Sequence, residues 1–277
     1  MFEIKNIIYM KVVENPKYRG IKKEFIFKKI NEVLRHYSKK KLNSIKNVER
    51  SKIIKEIVKK VRSELRNDVT LYLLNMSNSS NIEEVLNNFK STKERYNYIF
   101  RVYSRIFSFL KEHKIKLKKI IDLGCGLNPL SFLLYYIYSN ESFGIINYYC
   151  YDVNEIILDK VRDIVNGIKK KNSKVKEIRF RFINEDISQI KNFPKGDLVF
   201  LFKILHIIDK KNHKNSEELL KKIDSSALVI SFSIRTLSGK PMRFKRRTWL
   251  EKMLTRLNYR FSYEIIGKEI FYFVTKK

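Results

Sequence analysis

With 277 residues, 44% of them hydrophobic, the chain is long and apolar enough for a substantial core, which excludes a disordered tail. It carries 59 Lys and Arg against 29 Asp and Glu, a formal net charge of +30, and such an excess attracts polyanions, nucleic acid first among them. Cys125 and Cys150 stand in no C-x-x-C or Cys/His cluster and no run approaches the ~20 apolar residues of a bilayer span, so a soluble, cytoplasmic, metal-free protein is expected.

The charge is not confined to one tail, because the first 116 residues hold 28 basic and 12 acidic side chains. The plain alternative is compositional drift in a chain rich in Lys, Ile and Asn, with Ala227 as its single alanine. Up to about residue 116 the apolar spacing is helical. Residues 22–37 place Phe25, Ile30, Val33 and Leu34 on one face, and Val48 to Leu65 places Ile53, Ile54, Ile57, Val58 and Val61 at helical spacing. A third run covers Ile82 to Phe89, and Ser91 with Thr92 then cap a fourth helix containing Tyr96, Ile99, Phe100, Val102, Tyr103 and Phe107.

From residue 118 short β-rich runs alternate with helical ones, the pattern of an open α/β sheet. Strands are expected at 118–124, 147–153, 177–186, 196–203 and 227–233, with helices at 129–139, 154–168, 215–223 and 247–257. The end, 259–266 and 269–277 around Gly267, reads as an antiparallel hairpin. Five βα units closed by such a hairpin form the strand order of a Rossmann-like class I methyltransferase dependent on S-adenosylmethionine, whereas dinucleotide dehydrogenases repeat two βαβαβ halves. The expected division is a basic all-helical domain over 1–116 and an α/β methyltransferase domain over 117–277.

Within IDLGCGLNPLS, Gly124 and Gly126 let backbone amides approach a ligand, and the helix beginning near Pro129 offers its positive end. A tight turn alone accounts for the glycines equally well, and the third glycine of a pyrophosphate-binding loop is absent. Asp152, ending the second strand 28 residues past Gly124, is placed to accept from both ribose hydroxyls, with a helix N-cap as its structural alternative. Glu185 and Asp186 end the third strand, where a carboxylate is expected to lie beside the adenine and accept from its amino group, with a solvated loop as the structural alternative.

These residues, with the strings STKER, DLGCGLNPLS, YDVN, FLFKIL, SFSIRTLSGK and IGKEIFYFVTKK, resemble the aminoglycoside-resistance 16S ribosomal RNA methyltransferases that modify guanine N7 in the decoding site. The resemblance covers roughly residues 85–240 and the last dozen. It implies that Arg95 holds the methionine carboxylate of S-adenosylmethionine, a task suited to a bidentate guanidinium, with Ser91 at the same edge and Leu201 against the adenine. It also implies a monomer acting on ribosomal RNA within the assembled small subunit. After TLSGK the chain departs from the family's glycine-rich stretch and reads PMRFKRRTWLE. There Arg243, Lys245, Arg246 and Arg247, interleaved with Phe244, combine phosphate-binding charge with an aromatic surface, and they are expected to touch RNA, whereas Trp249 is expected to pack inward.

Guanine N7 has a free lone pair at neutral pH, so methyl transfer to it requires positioning more than a general base. Neither cysteine is placed to be the nucleophile of carbon-5 methylation, and the run after strand four lacks the Asp/Asn-Pro-Pro-aromatic loop used on exocyclic amines. The alternatives are a methyltransferase of tRNA or of another rRNA site, and a non-catalytic RNA-binding assembly factor.

Overall fold

The computed structural model describes residues 2–38, 40, 42, 44, 45, 47, 48, 50–69, 81–88, 90–209, 213–236 and 239–276; the side chains of Lys90 and Ser91 lie outside that description. Among the described residues α1 (Phe2–Val13), α2 (Lys23–Leu34) and α3 (Lys52–Asp68) come first, with a 3-10 turn at Pro16–Tyr18. Helix α1 was not expected, because its apolar side chains lie all round it: Ile4, Ile8 and Val12 face inward while Phe2 and Met10 face solvent. In α2 the expected stripe, Phe25, Ile30, Val33 and Leu34, is buried against Ile54, Ile57, Val58 and Val61 of α3. Lys29 of α2 reaches Asp68 of α3 at 2.5 Å, both side chains nearly fully buried, which fixes the register of the pair.

Next come α4 (Ile82–Asn88), α5 (Lys90–Tyr96) and α6 (Ile99–Glu112). The single helix expected after Ser91 and Thr92 is thus two helices broken at Asn97 and Tyr98, and Thr92 is no cap: its buried hydroxyl donates to the Leu86 carbonyl at 2.7 Å, joining α4 to α5. A buried hydroxyl needs an acceptor, and the end of α4 supplies one.

The remainder runs β1 (Lys119–Leu123), α7 (Asn128–Tyr138), β2 (Ile146–Asp152), α8 (Glu155–Lys171), the short α9 (Ser173–Lys176), β3 (Ile178–Asn184), β4 (Gly196–Phe202), the short α10 (Leu205–Ile208), α11 (Lys214–Lys222), β5 (Ser225–Ser233), α12 (Thr248–Arg256), β6 (Tyr259–Ile266) and β7 (Glu269–Lys276). The expected strands and helices are present, whereas α9 and α10 were not expected and β3 leads into β4 without the helix that five βα units would require. The seven strands lie in the order β3-β2-β1-β4-β5-β7-β6, with β1 to β5 parallel and the terminal hairpin antiparallel. Alternate residues serve opposite faces, as the pleat requires. Ile120, Leu198, Phe200 and Val229 pack under α4 to α8, whereas Ile121, Val199, Leu201 and Ile230 pack under α10 to α12.

The change of local pattern at 116 does not coincide with the change of core. Val85, Leu86, Ile99, Val102, Tyr103 and Phe107 share the core of the sheet, while the separate core of the bundle contains described residues no later than Val69. Helices 82–112 are therefore built into the α/β layer, because their apolar faces meet β1 and α7 rather than α1 to α3.

Candidate functional site

At the carboxyl ends of the parallel strands the chain after β1 turns through Gly124 (φ 69°) and Gly126 (φ 48°) into α7. The left-handed φ of Gly124 favours glycine, and a Cβ there would also lie 2.6 Å from Ile204 Cδ1, so the Ile204 side chain after β4 would have to shift. The Gly126 N–H donates to Asp152 Oδ2 and the Asn154 N–H to Asp152 Oδ1, each at 2.9 Å. Each carboxylate oxygen keeps a lone pair, the arrangement a vicinal diol needs. Burial pushes the Asp152 carboxyl up, against the pull of the Asn154, Gly126 and Val153 N–H groups. The helix N-cap, the alternative role for Asp152, falls to Asn154, whose side chain accepts from the Ile157 N–H.

Arg95 comes to the same end of the sheet as one member of a buried network. Its Nε and Nη2 donate to Glu269 at 3.1 and 2.8 Å, and Nη1 donates to Asn128 Oδ1 at 3.2 Å. Its guanidinium also lies over the Phe202 ring, 4.6 Å from the centroid. Glu269 further pairs with Lys203 at 3.0 Å and accepts from the Ser231 hydroxyl at 3.0 Å. Burial alone would raise the Glu269 carboxyl, but the charges and hydrogen bonds of Arg95 and Lys203 hold it at about 2. Lys203 follows β4 with φ at 55°, a left-handed conformation unusual for a side-chain-bearing residue, and its ammonium also pairs with Glu94 at 3.2 Å.

Asn128 links this cluster to Asp122 in β1, since its Nδ2 donates to Asp122 Oδ2 at 3.0 Å while its Oδ1 accepts from Tyr103 at 2.9 Å. Tyr148 donates to the same Asp122 oxygen at 2.8 Å, whereas Asp122 Oδ1 is buried with no hydrogen-bond partner. Burial raises the Asp122 carboxyl to about 7, against the hydrogen bonds of Asn128 and Tyr148 and the charge of Arg95. Sequence reasoning named Arg95 but missed Asp122, Asn128, Lys203 and Glu269; an acidic residue inside the apolar run KIIDL or beginning KEIFYF was the available signal.

The other expected residues divide. Glu185 is paired with Lys22 at 2.9 Å, and Asp186 with Lys28 at 3.0 Å, so both carboxylates are engaged by the helical bundle. Leu201 has no accessible surface and offers none to an adenine: β4 is a central strand and its side chain belongs to the core under α10 to α12. The side chain of Ser91 lies outside the described residues.

In the basic stretch Arg247 turns inward, donating to the carbonyls of Phe244, Lys245 and Ser233 and to Met242 Sδ, which makes it a clamp of the loop rather than a free cation. Arg246 is bidentate to Glu251 and lies over the Tyr263 ring. Arg243 and Lys245 remain exposed beside Phe244, which is 74% exposed. Trp249 packs as expected, stacked on His213 with centroids 3.9 Å apart and edge-on to Phe232.

The site thus offers a carboxylate for a diol, a glycine turn at a helix N-terminus, the buried Arg95 and the half-buried Lys203, a set of groups that suits a nucleoside bearing an amino-acid tail. A 16S rRNA (guanine(1405)-N(7))-methyltransferase of Serratia marcescens is 24% identical to this chain over 200 residues, 72% of this chain and 71% of that protein. A protein of the same description from Proteus mirabilis is 23% identical over 218 residues, 78% of this chain and 68% of that one. The crystal structure of the 16S rRNA methyltransferase RmtF in complex with S-adenosyl-L-homocysteine shares the fold along the full length of both chains, with a TM-score of 0.70 at 18% identity. The sequence profile described as ribosomal RNA methyltransferase (FmrO) matches residues 75–270, and the chain belongs to that family.

Proposed function

We propose that this methyltransferase transfers a methyl group from S-adenosylmethionine to N7 of a guanine in 16S ribosomal RNA, acting as a monomer on the assembled small subunit in the cytoplasm. The observation that carries the reading is the Asp152 carboxylate held by the Gly126 N–H at the mouth of β1 and β2, with Arg95 and Lys203 beside it on the same sheet end. When bound, S-adenosylmethionine supplies an electrophilic methyl group on a sulfonium. Asp152 accepts the ribose hydroxyls, the turn at Gly124 and Gly126 lets the backbone approach, and the two Arg95 N–H groups not used by Glu269 and Asn128 remain to meet the methionine carboxylate.

The chemistry of the chain favours a ring nitrogen. Both cysteines are buried, and burial pushes both thiols up, away from the thiolate that carbon-5 methylation requires. Guanine N7 needs no proton removed, so positioning against the sulfonium suffices.

RNA docking is assigned to two surfaces. In the bundle, the domain expected over 1–116 contributes a groove between α1 and α3 in which five cations, Lys11, Lys55, Lys59, Arg62 and Arg66, outnumber the one carboxylate, Glu14, beside Val58. Beyond β5, Arg243 and Lys245 flank the exposed Phe244, an arrangement for phosphate contact and base stacking.

Small subunits incubated with the protein and radiolabelled S-adenosylmethionine are expected to carry label in 16S rRNA as N7-methylguanine, located by mass spectrometry of nuclease digests. Expression in a susceptible bacterium is expected to raise aminoglycoside tolerance. Label confined to tRNA, label at another atom, or none in any RNA overturns the reading.

A further inference from the structure

The bundle does not merely sit beside the cofactor end of the sheet; it is joined to it residue by residue. The Lys22 N–H donates to the Val153 carbonyl and the Glu155 N–H to the Gly20 carbonyl, both at 2.8 Å, which makes a short antiparallel bridge between Ile21 and Asn154. A Cβ on Gly20 would lie 2.4 Å from Ile156 Cγ1, so the absence of a side chain at Gly20 leaves the room that the Ile156 side chain occupies. Val153 packs against the core of the bundle rather than that of the sheet. Residues 152–154 and 184–185 form one joint, because the Glu185 N–H and the Asn184 Nδ2 both donate to the Asp152 carbonyl, at 3.1 and 3.2 Å.

Two lysines of the bundle close this joint from above. Lys22 Nζ lies 2.9 Å from Glu185 Oε2 and 2.9 Å from the Asn184 carbonyl. Lys28 Nζ lies 3.0 Å from Asp186 Oδ2 and 2.6 Å from the Ser188 hydroxyl. Asp186 is buried, and its Oδ1 accepts from both the N–H and the hydroxyl of Ser188, at 3.0 and 2.7 Å. The carboxylate is therefore held in one orientation, with a lone pair of Oδ2 left beside Lys28. Without Lys28 that orientation would rest on Ser188 alone.

We propose that Lys28, through Asp186, and Lys22, through Glu185, are positioning residues for the adenosine end of the cofactor, so that the bundle assigned above to RNA docking also sets cofactor affinity. This rests on the reading of Asp152 and Asp186 as the adenosine rim. Fixing a hydrogen-bond acceptor before the ligand arrives removes an ordering cost from binding, and the ion pairs supply that fixation from the bundle, whose apolar core is separate from that of the sheet. A carboxylate at the end of β3 was expected to accept from the adenine amino group; in this arrangement it is an acceptor whose geometry belongs to the bundle.

The test uses the full chain and S-adenosylhomocysteine as the titrant in calorimetry. Lys28→Met is expected to weaken binding about tenfold and to raise the KM for S-adenosylmethionine more than it lowers kcat, while Lys28→Arg restores the affinity. Asp186→Asn is expected to weaken binding similarly, and the double variant no more than the single ones, because both act through one contact. A purely structural role would lower the melting temperature of Lys28→Met and leave the dissociation constant within twofold of wild type, and that outcome overturns the proposal. If Asp186→Asn and Asp152→Asn both bind as wild type does, the rim itself has been misplaced and the proposal falls with it. If those two weaken binding and Lys28→Met does not, the rim stands and the proposal alone is refuted.

Discussion

Asp122 and Glu269 are buried carboxylates of one network, yet their surroundings push them in opposite directions. Glu269 faces two cations and stays ionised to about 2, while Asp122, farther from charge and with one oxygen unpartnered, is raised to about 7. The consequence for stability follows from proton uptake. A carboxyl at about 7 when folded and near its ordinary 3.8 when unfolded binds its proton more tightly in the folded state. Its contribution is complete below about pH 4 and is lost as pH rises through 7; on the order of 4 kcal/mol is an upper bound for a shift of this size. Asp122→Asn keeps an acceptor for Asn128 and Tyr148 but cannot ionise. Urea denaturation at pH 5 and at pH 8 is expected to show wild type losing stability toward pH 8 and the variant losing less; equal slopes would assign the pH dependence to other groups. Asp152 has a different task, since its two oxygens hold the Gly126 and Asn154 N–H groups and still face the site. Asp152→Asn is expected to weaken S-adenosylhomocysteine binding by at least about tenfold, the cost of a charge-assisted hydrogen bond, in the same calorimetric assay.

The segment between β5 and α12 is the element whose behaviour local chemistry predicts least well. The four cations of its run RFKRR look equivalent in sequence, but Arg247 holds three backbone carbonyls, Arg246, though exposed, holds Glu251, and Arg243 and Lys245 stand exposed beside Phe244. The returning chain is pinned by the Met242 N–H on the Ile234 carbonyl and a bridge between Arg235 and Pro241. Arg247→Ala is therefore expected to destabilise the protein by about 1–3 kcal/mol, from carbonyls left without donors, and to make this loop a preferred site of limited proteolysis. Lys245→Ala is expected to leave the melting temperature unchanged and to weaken RNA binding. The reverse pattern in thermal melts and filter binding would mean that the clamp and the contact have been exchanged.

At the scale of the whole molecule, a net charge of +30 is spread over a bundle and an α/β layer with separate apolar cores. Surface lysines that neutralise phosphates release counterions, so each such contact contributes nearly one unit to the slope of log affinity against log salt. The double variant Lys55→Ala with Lys59→Ala, on the groove of the bundle, is expected to lower that slope for small-subunit binding by up to about two. Its dissociation constant for S-adenosylhomocysteine is expected to stay within twofold of wild type. An unchanged slope in filter binding across a salt series would remove the groove from the RNA interface. The seam at Lys22 and Lys28 is chemically distinct, because its cations are spent on carboxylates of the same chain.

How much of this was written along the chain depends on how far apart the interacting residues lie. Alternation of apolar side chains, the break at Gly124 and Gly126 and the terminal hairpin determined the class of fold, and Asp152 at the end of its strand pointed to the centre of the proposed site, because period and turn chemistry act within a few residues. The division of cores at 69–82 was not legible, since α4 to α6 have the same helical period as the bundle and differ only in what they pack against. Nor was the state of the charged groups. Arg95 meets Glu269 across 174 residues and Lys28 meets Asp186 across 158, so whether a carboxylate is free or paired is decided by which surfaces dock. Leu201 shows the same limit from the apolar side: its place on β4 was clear in sequence, but the burial that closes it to a ligand comes from the helices folded over that face. The sequence by itself determined the frame and the kinds of chemical group at its open end; the tertiary structure alone decided which of those groups remain unpaired, because electrostatic partners are chosen by proximity in space.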